Sequence, residues 1–295
     1  TSVSKSPRGQ NYNKNETSAN DNITSLVILQ RWPIKTWNSL AERVIYQARK
    51  IRTLEKEDSQ NFMLILSQSD LDEFLQKRKS NSDLIGGLLG TEGSHALDGE
   101  LKNIERLFNE GFRMMSLQHF FDNKLGGSLH GISGNGLTQF GQEAIQEMLR
   151  LGIMIDVSHS SENVVNDVLN LSDQPILVSH TGFNGHCPSS RNISDSLMKE
   201  IAKKDGLVAV GFWHAAVCNN TPQSVAEAIQ YGIELIGAKH VALGSDFDGA
   251  VRPGFDTSEL VAITHELLEA GVKESEIRLV MGENMLNFLK KNLAD

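Results

Sequence analysis

The sequence IMIDVSHSSENVVNDVLNLSDQPILVSH, residues 153–180, contains the pattern that decides the fold. Apolar runs at 153–157 and 176–178 have the length of buried strands, and residues 161–169 between them repeat apolar side chains at helical spacing. A strand, a helix and a second strand in this order are typical of parallel sheets. A histidine, His159 or His180, follows each strand by two residues.

The same alternation of strand and helix extends along most of the chain. No linker or charge block interrupts it, and no Gly-x-Gly-x-x-Gly sequence or phosphate loop indicates an open nucleotide-binding sheet. The pattern predicts an α/β fold, a TIM-like (β/α)8 barrel, with a single domain over 24–295 after a polar segment, 1–23, that we expect to be disordered. The predicted strands are 25–29, 62–66, 84–89, 112–117, 153–157, 176–178, 207–212 and 241–243. The predicted helices are 36–54, 70–78, 100–109, 138–150, 161–169, 195–203, 224–236, 258–270 and 284–292.

Charge and composition restrict the class of partner. The 295 residues include 28 Lys and Arg against 37 Asp and Glu, a formal net charge of −9. Nucleic acids and anionic membranes bind basic surfaces, so this balance argues against both and favours a small molecule. No apolar stretch approaches the roughly 20 residues that span a bilayer, so no transmembrane segment is expected.

Five ionisable side chains stand one to three residues beyond a predicted strand: Glu92, His119, His159, His180 and Asp246. In a (β/α)8 barrel the active site forms at the carboxyl ends of the strands, so these side chains would converge there. Glu and two of the His suit a zinc ion, while Asp and the third His suit acid-base chemistry. Each residue alone has an ordinary structural interpretation, such as a helix cap. Their convergence favours a metal site.

The remaining polar candidates are less specific. Arg191 lies in the loop after the strand that leads to His180, where its guanidinium could bind a substrate carboxylate through two hydrogen bonds or form a surface salt bridge. His214 also follows a strand, but we interpret it with the other histidines as structural or on the surface. These histidines are His95, His130, His186, His214, His240 and His265.

Five runs of sequence occur in a characteristic order: LLGTEGSHAL at 88–97, GLTQFGQEAIQEMLRLGIMIDVSHSS at 136–161, ILVSHTG at 176–182, SSRNISD at 189–195 and GSDFDG at 244–249. From about residue 25 to the C-terminus, the chain resembles the membrane dipeptidase, or renal dipeptidase, family of zinc peptidases. The resemblance implies an amidohydrolase-type barrel. It also implies hydrolysis of the peptide bond of dipeptides by metal-activated water, usually with two zinc ions.

The resemblance assigns the metal ligands in part. It implies that Glu92 bridges two metal ions and that His159 and His180 complete the ligands of the second. The family's first strand carries a His-x-Asp pair that binds the first metal, and these 295 residues contain no His-x-Asp. Either the sequence begins downstream of the pair or the protein has lost it. We therefore expect one or two zinc ions, a first barrel strand before residue 25, and a peripheral position for strand 62–66.

The resemblance also assigns the residues that contact substrate. It implies that His119 contacts the substrate carbonyl and stabilises the tetrahedral intermediate. Asp246 would be the proton shuttle, and Arg191 would bind the C-terminal carboxylate of the dipeptide.

Three functions fit these residues. The first is a zinc dipeptidase, or a close relative that acts on another small amide. The second is a catalytically impaired or repurposed homologue that binds a peptide-like ligand with at most one metal, which the absent His-x-Asp favours. The third is an isomerase or lyase that uses His119 and Asp246 as acid and base without a metal. Two, one or no zinc ions per chain would distinguish them.

The two cysteines bear on localisation. Cys187 and Cys218 follow successive strands, and adjacent barrel strands place their loops side by side, so the pair could form a disulfide or remain as two buried thiols in a cytosolic protein. The resemblance points to the disulfide, because exported members of the family have one in this region. A disulfide would imply the periplasm or the cell exterior. Family members also often form homodimers, so the resemblance allows one here.

Overall fold

The computed structural model describes residues 23–249 and 251–295, so the predicted polar segment 1–23 lies outside the described residues except for its last position. Strands and helices alternate along the described chain. The strands are β1 Phe62–Leu64, β2 Ile85–Gly87, β3 Leu89–Thr91, β4 Phe112–Ser116, β5 Met154–Asp156, β6 Leu177–Thr181, β7 Leu207–Val210 and β8 Val241–Leu243. The α-helices are α1 Thr24–Leu29, α2 Leu40–Glu57, α3 Gln68–Arg78, α4 Lys102–Asn109, α5 Gln139–Leu151, α6 Glu162–Leu171, α7 Asp195–Lys203, α8 His214–Val217, α9 Pro222–Ile236, α10 Val261–Glu269, α11 Glu274–Arg278 and α12 Asn284–Asn292. Short 3-10 helices are Ile34–Thr36, Ser94–Leu97, Ala238–His240 and Thr257–Glu259, and Leu279–Glu283 is a π-helical turn.

The chain forms two compact units. The first unit extends through Ile155 and includes His159–Ser161 and Asn292–Asp295. The second contains Asp156–Ser158 and Glu162–Lys291. The single domain over 24–295 stays a prediction.

Within the first unit, β3, β4 and β5 are successive neighbours. The β3–β4 pair is parallel, with Leu89 opposite Phe112 and Thr91 opposite Met115. Strand β1 pairs in parallel with β2 in a separate two-stranded sheet. Only residue 88 separates β2 from β3, so the expectation that strand 62–66 is peripheral stays a prediction.

Within the second unit, the order is β6, β7 and β8, and Asp156 at the end of β5 pairs with Leu177 in β6. Val208 lies opposite Val178 on one side and Val241 on the other, in parallel register. All four residues of β7 are buried. A strand that is buried on both faces has a continuous run of apolar residues, so the sequence pattern predicts β7.

The helices follow from apolar spacing and capping. In α5, the Thr138 side chain accepts a hydrogen bond from the backbone N of Gly141, and Gly152 ends the helix with φ 71°. Buried Ala144, Ile145 and Met148 share one face. A threonine cap and a left-handed glycine are ordinary helix boundaries, and the sequence predicts this helix to within one residue at each end.

One predicted strand is wrong, and another is interrupted. Segment 25–29 is the helix α1, which buries Val27 and leaves Leu29 exposed. Short apolar runs have no periodicity that separates strand from helix, and here Arg43 Nη2 binds Thr24 Oγ1 and fixes the helix start. Segment 84–89 divides into β2 and β3, which pair with different strands.

The other predicted elements are confirmed with ends that differ by at most four residues, except that a 3-10 turn precedes α10 in the predicted helix 258–270. Among the residues that the structure describes, no helix combines the length and the apolar character needed to cross a membrane.

Candidate functional site

Glu92 occupies the first position after β3 and faces two imidazoles of the first unit. Its Oε1 lies 3.0 Å from Nε2 of His159 and 3.6 Å from Nε2 of His119. The Glu92 side chain is 44% exposed, whereas that of His159 is 5% exposed. The carboxylate is therefore reachable from solvent, while the imidazole beside it is buried. Carboxylate oxygens and imidazole nitrogens are both donor types that bind zinc.

His159 has a strained backbone that several contacts hold in place. Its φ is 65°, in the left-handed region that non-glycine residues rarely adopt. Its carbonyl oxygen accepts hydrogen bonds from the backbone N of Leu129, at 2.7 Å, and from Ser128 Oγ, at 3.2 Å. Such strain persists only where the surroundings fix the residue, and it concentrates at functional sites.

His130 supports the His159 ring, although we interpreted it from the sequence as structural or on the surface. It is 2% exposed, and its Nε2 lies 2.9 Å from Nδ1 of His159. The His159 ring is thus held between His130 and Glu92. His130 lies 14 residues beyond β4 in a loop whose path no local pattern predicts. No sequence signal could have identified this contact.

His119 is the second imidazole beside Glu92. It follows β4 by three residues, and its ring packs 4.1 Å from that of Phe120 and edge-on at 4.7 Å from that of His159. The His95 ring stacks against His119 at 6.4 Å. Burial, reinforced by the nearby His119, lowers the pKa of His95 to about 3, so that His95 is neutral at ordinary pH.

His180 lies within β6, because this strand extends to Thr181, beyond the predicted end at 178. It is 8% exposed, and its Nδ1 lies 2.9 Å from Ser179 Oγ. The Ser179 hydroxyl in turn lies 2.6 Å from Oδ2 of Asp156, a buried carboxylate. Asp156 and Ser179 were not singled out in the sequence, although both belong to the runs that carry the family resemblance.

Arg191 contacts His180 within the second unit. It is 3% exposed, and its Nη2 donates a 2.7 Å hydrogen bond to the carbonyl oxygen of His180. Its guanidinium carbon lies 5.3 Å from the ring centre of Trp213, which also packs 5.9 Å from the His180 ring. A surface salt bridge, the alternative interpretation, does not fit an arginine as buried as this one.

Asp246 follows β8 by three residues and has a φ of 58°. The turn closes through a 3.0 Å bond from the backbone N of Gly249 to the carbonyl oxygen of Asp246. Gly244, just after β8, allows the backbone there to approach the backbone of Ser179 closely, since a Cβ at Gly244 would clash with the carbonyl oxygen of Ser179. The end of β8 therefore lies against the strand that carries His180.

The disulfide between Cys187 and Cys218 is present, with 5.5 Å between the Cα atoms. Asn192 supports the same loop, because its Nδ2 donates to the carbonyl oxygens of Cys187 and Ala216. These bonds anchor the segment that contains Arg191. His214 begins helix α8 and is exposed, in line with its interpretation as a surface residue.

The sequence model of the membrane dipeptidase family, peptidase family M19, matches residues 12–294. The chain belongs to the membrane dipeptidase family. A curated relative in this comparison is the dipeptidase AclJ of Aspergillus oryzae, 34% identical over 220 residues, which are 70% of this chain and 51% of that protein. The chain thus spans about half the length of this curated relative.

Solved structures resemble this membrane dipeptidase homologue at the level of the fold. An amidohydrolase from Pseudomonas aeruginosa has a TM-score of 0.74 at 24% identity and covers 84% of each chain. A dipeptidase of family M19 has a TM-score of 0.74 at 24% identity over 84% of this chain and 74% of its own. A metallopeptidase from Rhodobacter sphaeroides, liganded with a phosphinate mimic of L-Ala-D-Ala, has a TM-score of 0.72 at 25% identity, with 83% and 73% covered. The chain has the α/β fold of TIM-barrel type predicted from its strand and helix order.

Proposed function

We propose that this protein is a metal-dependent dipeptidase that hydrolyses the peptide bond of dipeptides. The observation that carries the proposal is the Glu92–His159 pair, a carboxylate oxygen 3.0 Å from an imidazole nitrogen, in a chain of the membrane dipeptidase family. Acidic and imidazole groups at this distance suit a shared cation. Family membership supports the substrate class.

The donor set supports zinc as the metal. The proposed ligands are Glu92, His159 and His180, which offer one carboxylate and two imidazoles. Three protein ligands of these types are the composition of catalytic zinc sites, which keep a further position open. A bound zinc ion would activate water and polarise a carbonyl group. The proposal includes one or two zinc ions per chain, as the sequence comparison with the family implies.

The remaining site residues act on the substrate and its protons. Arg191 binds the C-terminal carboxylate of the dipeptide, and its bond to the His180 carbonyl supports a fixed orientation of the guanidinium. His119, beside Glu92, contacts the carbonyl of the scissile bond. Asp246 carries a proton to the leaving amine. None of these roles requires a covalent intermediate with the protein.

A second candidate is a homologue that binds a peptide-like ligand with at most one metal. With Glu92, His159 and His180 alone, a single zinc ion would have three protein ligands. Loss of a second metal would remove part of the water activation, a contribution of several kcal/mol.

Metal analysis after dialysis, together with an assay of amino acids released from a dipeptide panel, tests the proposal. We expect retained zinc and hydrolysis in the wild type, and loss of both in His180→Ala. His265→Ala, at an exposed histidine, is the matched control and should retain both. Unchanged zinc content in His180→Ala would refute the ligand assignment. One zinc without hydrolysis would favour the second candidate.

The proposal extends to compartment and assembly. The Cys187–Cys218 disulfide supports an oxidising compartment, the periplasm or the cell exterior. Membership of the family supports a homodimer, which sedimentation of the purified protein would detect.

A further inference from the structure

Asp156 is a buried carboxylate to which the mechanism above gives no role. It is 2% exposed at the end of β5. Its Oδ1 accepts hydrogen bonds from the backbone N of Ser158, at 2.9 Å, and of Ser179, at 3.0 Å. Its Oδ2 lies 2.6 Å from Ser179 Oγ. Burial of a carboxylate is costly unless hydrogen bonds compensate it, and these three bonds provide that compensation.

The direction of the hydrogen bonds follows from the chemistry of the groups. Ser179 donates its single hydroxyl proton to Oδ2 of Asp156, because the carboxylate oxygen accepts. Ser179 Oγ can therefore only accept from its two other neighbours, Nδ1 of His180 at 2.9 Å and Oγ of Ser158 at 3.1 Å. The proton of the hydrogen bond between Ser179 and His180 must then be on Nδ1 of His180. A neutral imidazole with its proton on Nδ1 has its lone pair on Nε2.

We propose that Asp156, acting through Ser179, is a positioning residue that fixes His180 as the Nδ1–H tautomer, with the Nε2 lone pair directed to a metal. The metal part of this inference rests on the proposed function, whereas the tautomer does not. Histidines that bind metals generally donate their second N–H to a polar group, which fixes both the tautomer and the ring orientation.

The local sequence repeats, but the two serines have different roles. Val-Ser-His occurs at 157–159 and again at 178–180. Ser179 contacts the ring of the histidine that follows it, whereas Ser158 Oγ accepts a 3.1 Å bond from the backbone N of His180. His159 instead faces His130, an imidazole that can either donate or accept. The other ring nitrogen of His159, Nε2, lies 3.0 Å from Oε1 of Glu92, so the carboxylate beside His159 is at Nε2, whereas the one that acts on His180 is on the Nδ1 side.

Nitrogen-15 NMR of the metal-free protein with labelled histidine measures the tautomer directly, because protonated and unprotonated ring nitrogens resonate far apart. We expect His180, assigned by its loss in His180→Asn, to carry its proton on Nδ1. In Asp156→Asn, the amide oxygen must face the two backbone N–H groups, so its NH2 group faces Ser179. The Ser179 proton is then released, and Nδ1 of His180 at 2.9 Å is a nearer acceptor than Ser158 Oγ at 3.1 Å. The tautomer should therefore change to Nε2–H.

Zinc affinity, measured by competition with a chromogenic chelator, is the second readout. We expect the dissociation constant for zinc to rise about 10- to 100-fold in Ser179→Ala and in Asp156→Asn. Thr181→Val is the matched control. It removes the hydroxyl of a fully buried neighbour on β6 that bonds to Gly182, and it should leave both the tautomer and the affinity unchanged.

The outcomes separate this inference from the proposed function. Absence of zinc binding in the wild type would overturn the proposed function, and the NMR spectrum would still decide the tautomer. A His180 proton on Nε2 in the wild type would overturn the inference, even if Asp156→Asn failed to fold. The inference would also be wrong if a folded Asp156→Asn kept the Nδ1–H tautomer, or if Ser179→Ala bound zinc as tightly as Thr181→Val.

Discussion

At the scale of single residues, two of the proposed functional residues have backbone conformations that glycine usually adopts. His159 has φ 65° and Asp246 has φ 58°. A non-glycine residue in this region costs about 1 to 2 kcal/mol, and the surrounding contacts must offset that cost. For His159, these contacts include the bonds from Leu129 and Ser128 to its carbonyl oxygen. The local strain thus directs two side chains that a relaxed turn would orient differently.

The buried guanidinium of Arg191 should determine recognition of a free carboxylate. Arg191→Lys keeps the positive charge but loses the planar fork that binds a carboxylate through two hydrogen bonds. We expect KM for dipeptides to rise about 10- to 100-fold, since a hydrogen bond between charged groups contributes about 1.5 to 3 kcal/mol. KM for the corresponding C-terminal amides, which lack the charge, should change much less. Equal increases for both substrates would contradict the assignment.

His95 should make stability depend on pH. Its folded-state pKa of about 3 lies below the ordinary value of 6.5, so between these values the unfolded chain binds a proton that the folded chain does not. The contribution of His95 to the free energy of unfolding is therefore complete above pH 6.5 and is lost as the pH decreases towards 3. In His95→Gln this decrease should be shallower when urea unfolding is compared at pH 7, 5 and 4. Exposed His265→Gln is the control, and a slope unchanged in His95→Gln would refute the argument.

At the scale of secondary-structure elements, a side chain distant in sequence can accept hydrogen bonds from helix N–H groups that the local cap leaves without a partner. Ser39 caps α2 by accepting a hydrogen bond from the backbone N of Glu42. Asp98, 59 residues away, accepts a 2.6 Å bond from Ser39 Oγ. It also accepts bonds from the backbone N of Leu40, at 2.9 Å, and of Ala41, at 3.2 Å. One carboxylate thus satisfies the first turn of the helix.

Removal of this cap should destabilise the first unit. We expect Asp98→Ala to lower the free energy of unfolding by about 2 kcal/mol, because two backbone N–H groups lose their partner and a charge near the helix N-terminus is lost. Asp83→Ala, at an exposed aspartate with one weak 3.5 Å contact to Ser82, should change it by less than about 0.5 kcal/mol. Urea unfolding of both variants measures the difference. Equal effects would show that Asp98 does not stabilise α2.

At the scale of the whole molecule, the Cys187–Cys218 disulfide links residues 31 positions apart. The bond restricts the unfolded chain more than the folded one, because it closes a loop of about this length. The same loop carries Arg191, so the disulfide affects both stability and the proposed substrate site.

Thiol titration of the unfolded protein should find no free thiols before reduction and two afterwards. We expect the double variant Cys187→Ser, Cys218→Ser to lose about 3 to 4 kcal/mol of free energy of unfolding. The reduced wild type is the matched control and should lose a similar amount. Two free thiols in the unreduced protein would rule out the disulfide and return the proposed localisation to the cytoplasm.

The sequence by itself determined the fold class, the family and most of the order of strands and helices. Apolar spacing, capping residues and glycine ends are local signals, so a helix such as α5 can be predicted from its own residues. The disulfide could also be anticipated, because its cysteines follow successive strands. Glu92, His119 and His159 were predicted to lie close together, and in the first unit they do.

Only the tertiary structure decided how the candidate site is supported. Three contacts illustrate this: the bond between His130 and His159, the bond that Ser179 donates to Asp156, and the cap that Asp98 places on α2. Their partners lie 23 to 59 positions apart in the sequence, and no local pattern predicts them. The helix at Thr24–Leu29 was likewise decided by tertiary contact, since its four apolar residues fit strand and helix equally. Sequence patterns record the periodicity of a segment, whereas hydrogen-bond partners depend on which segments the fold brings together.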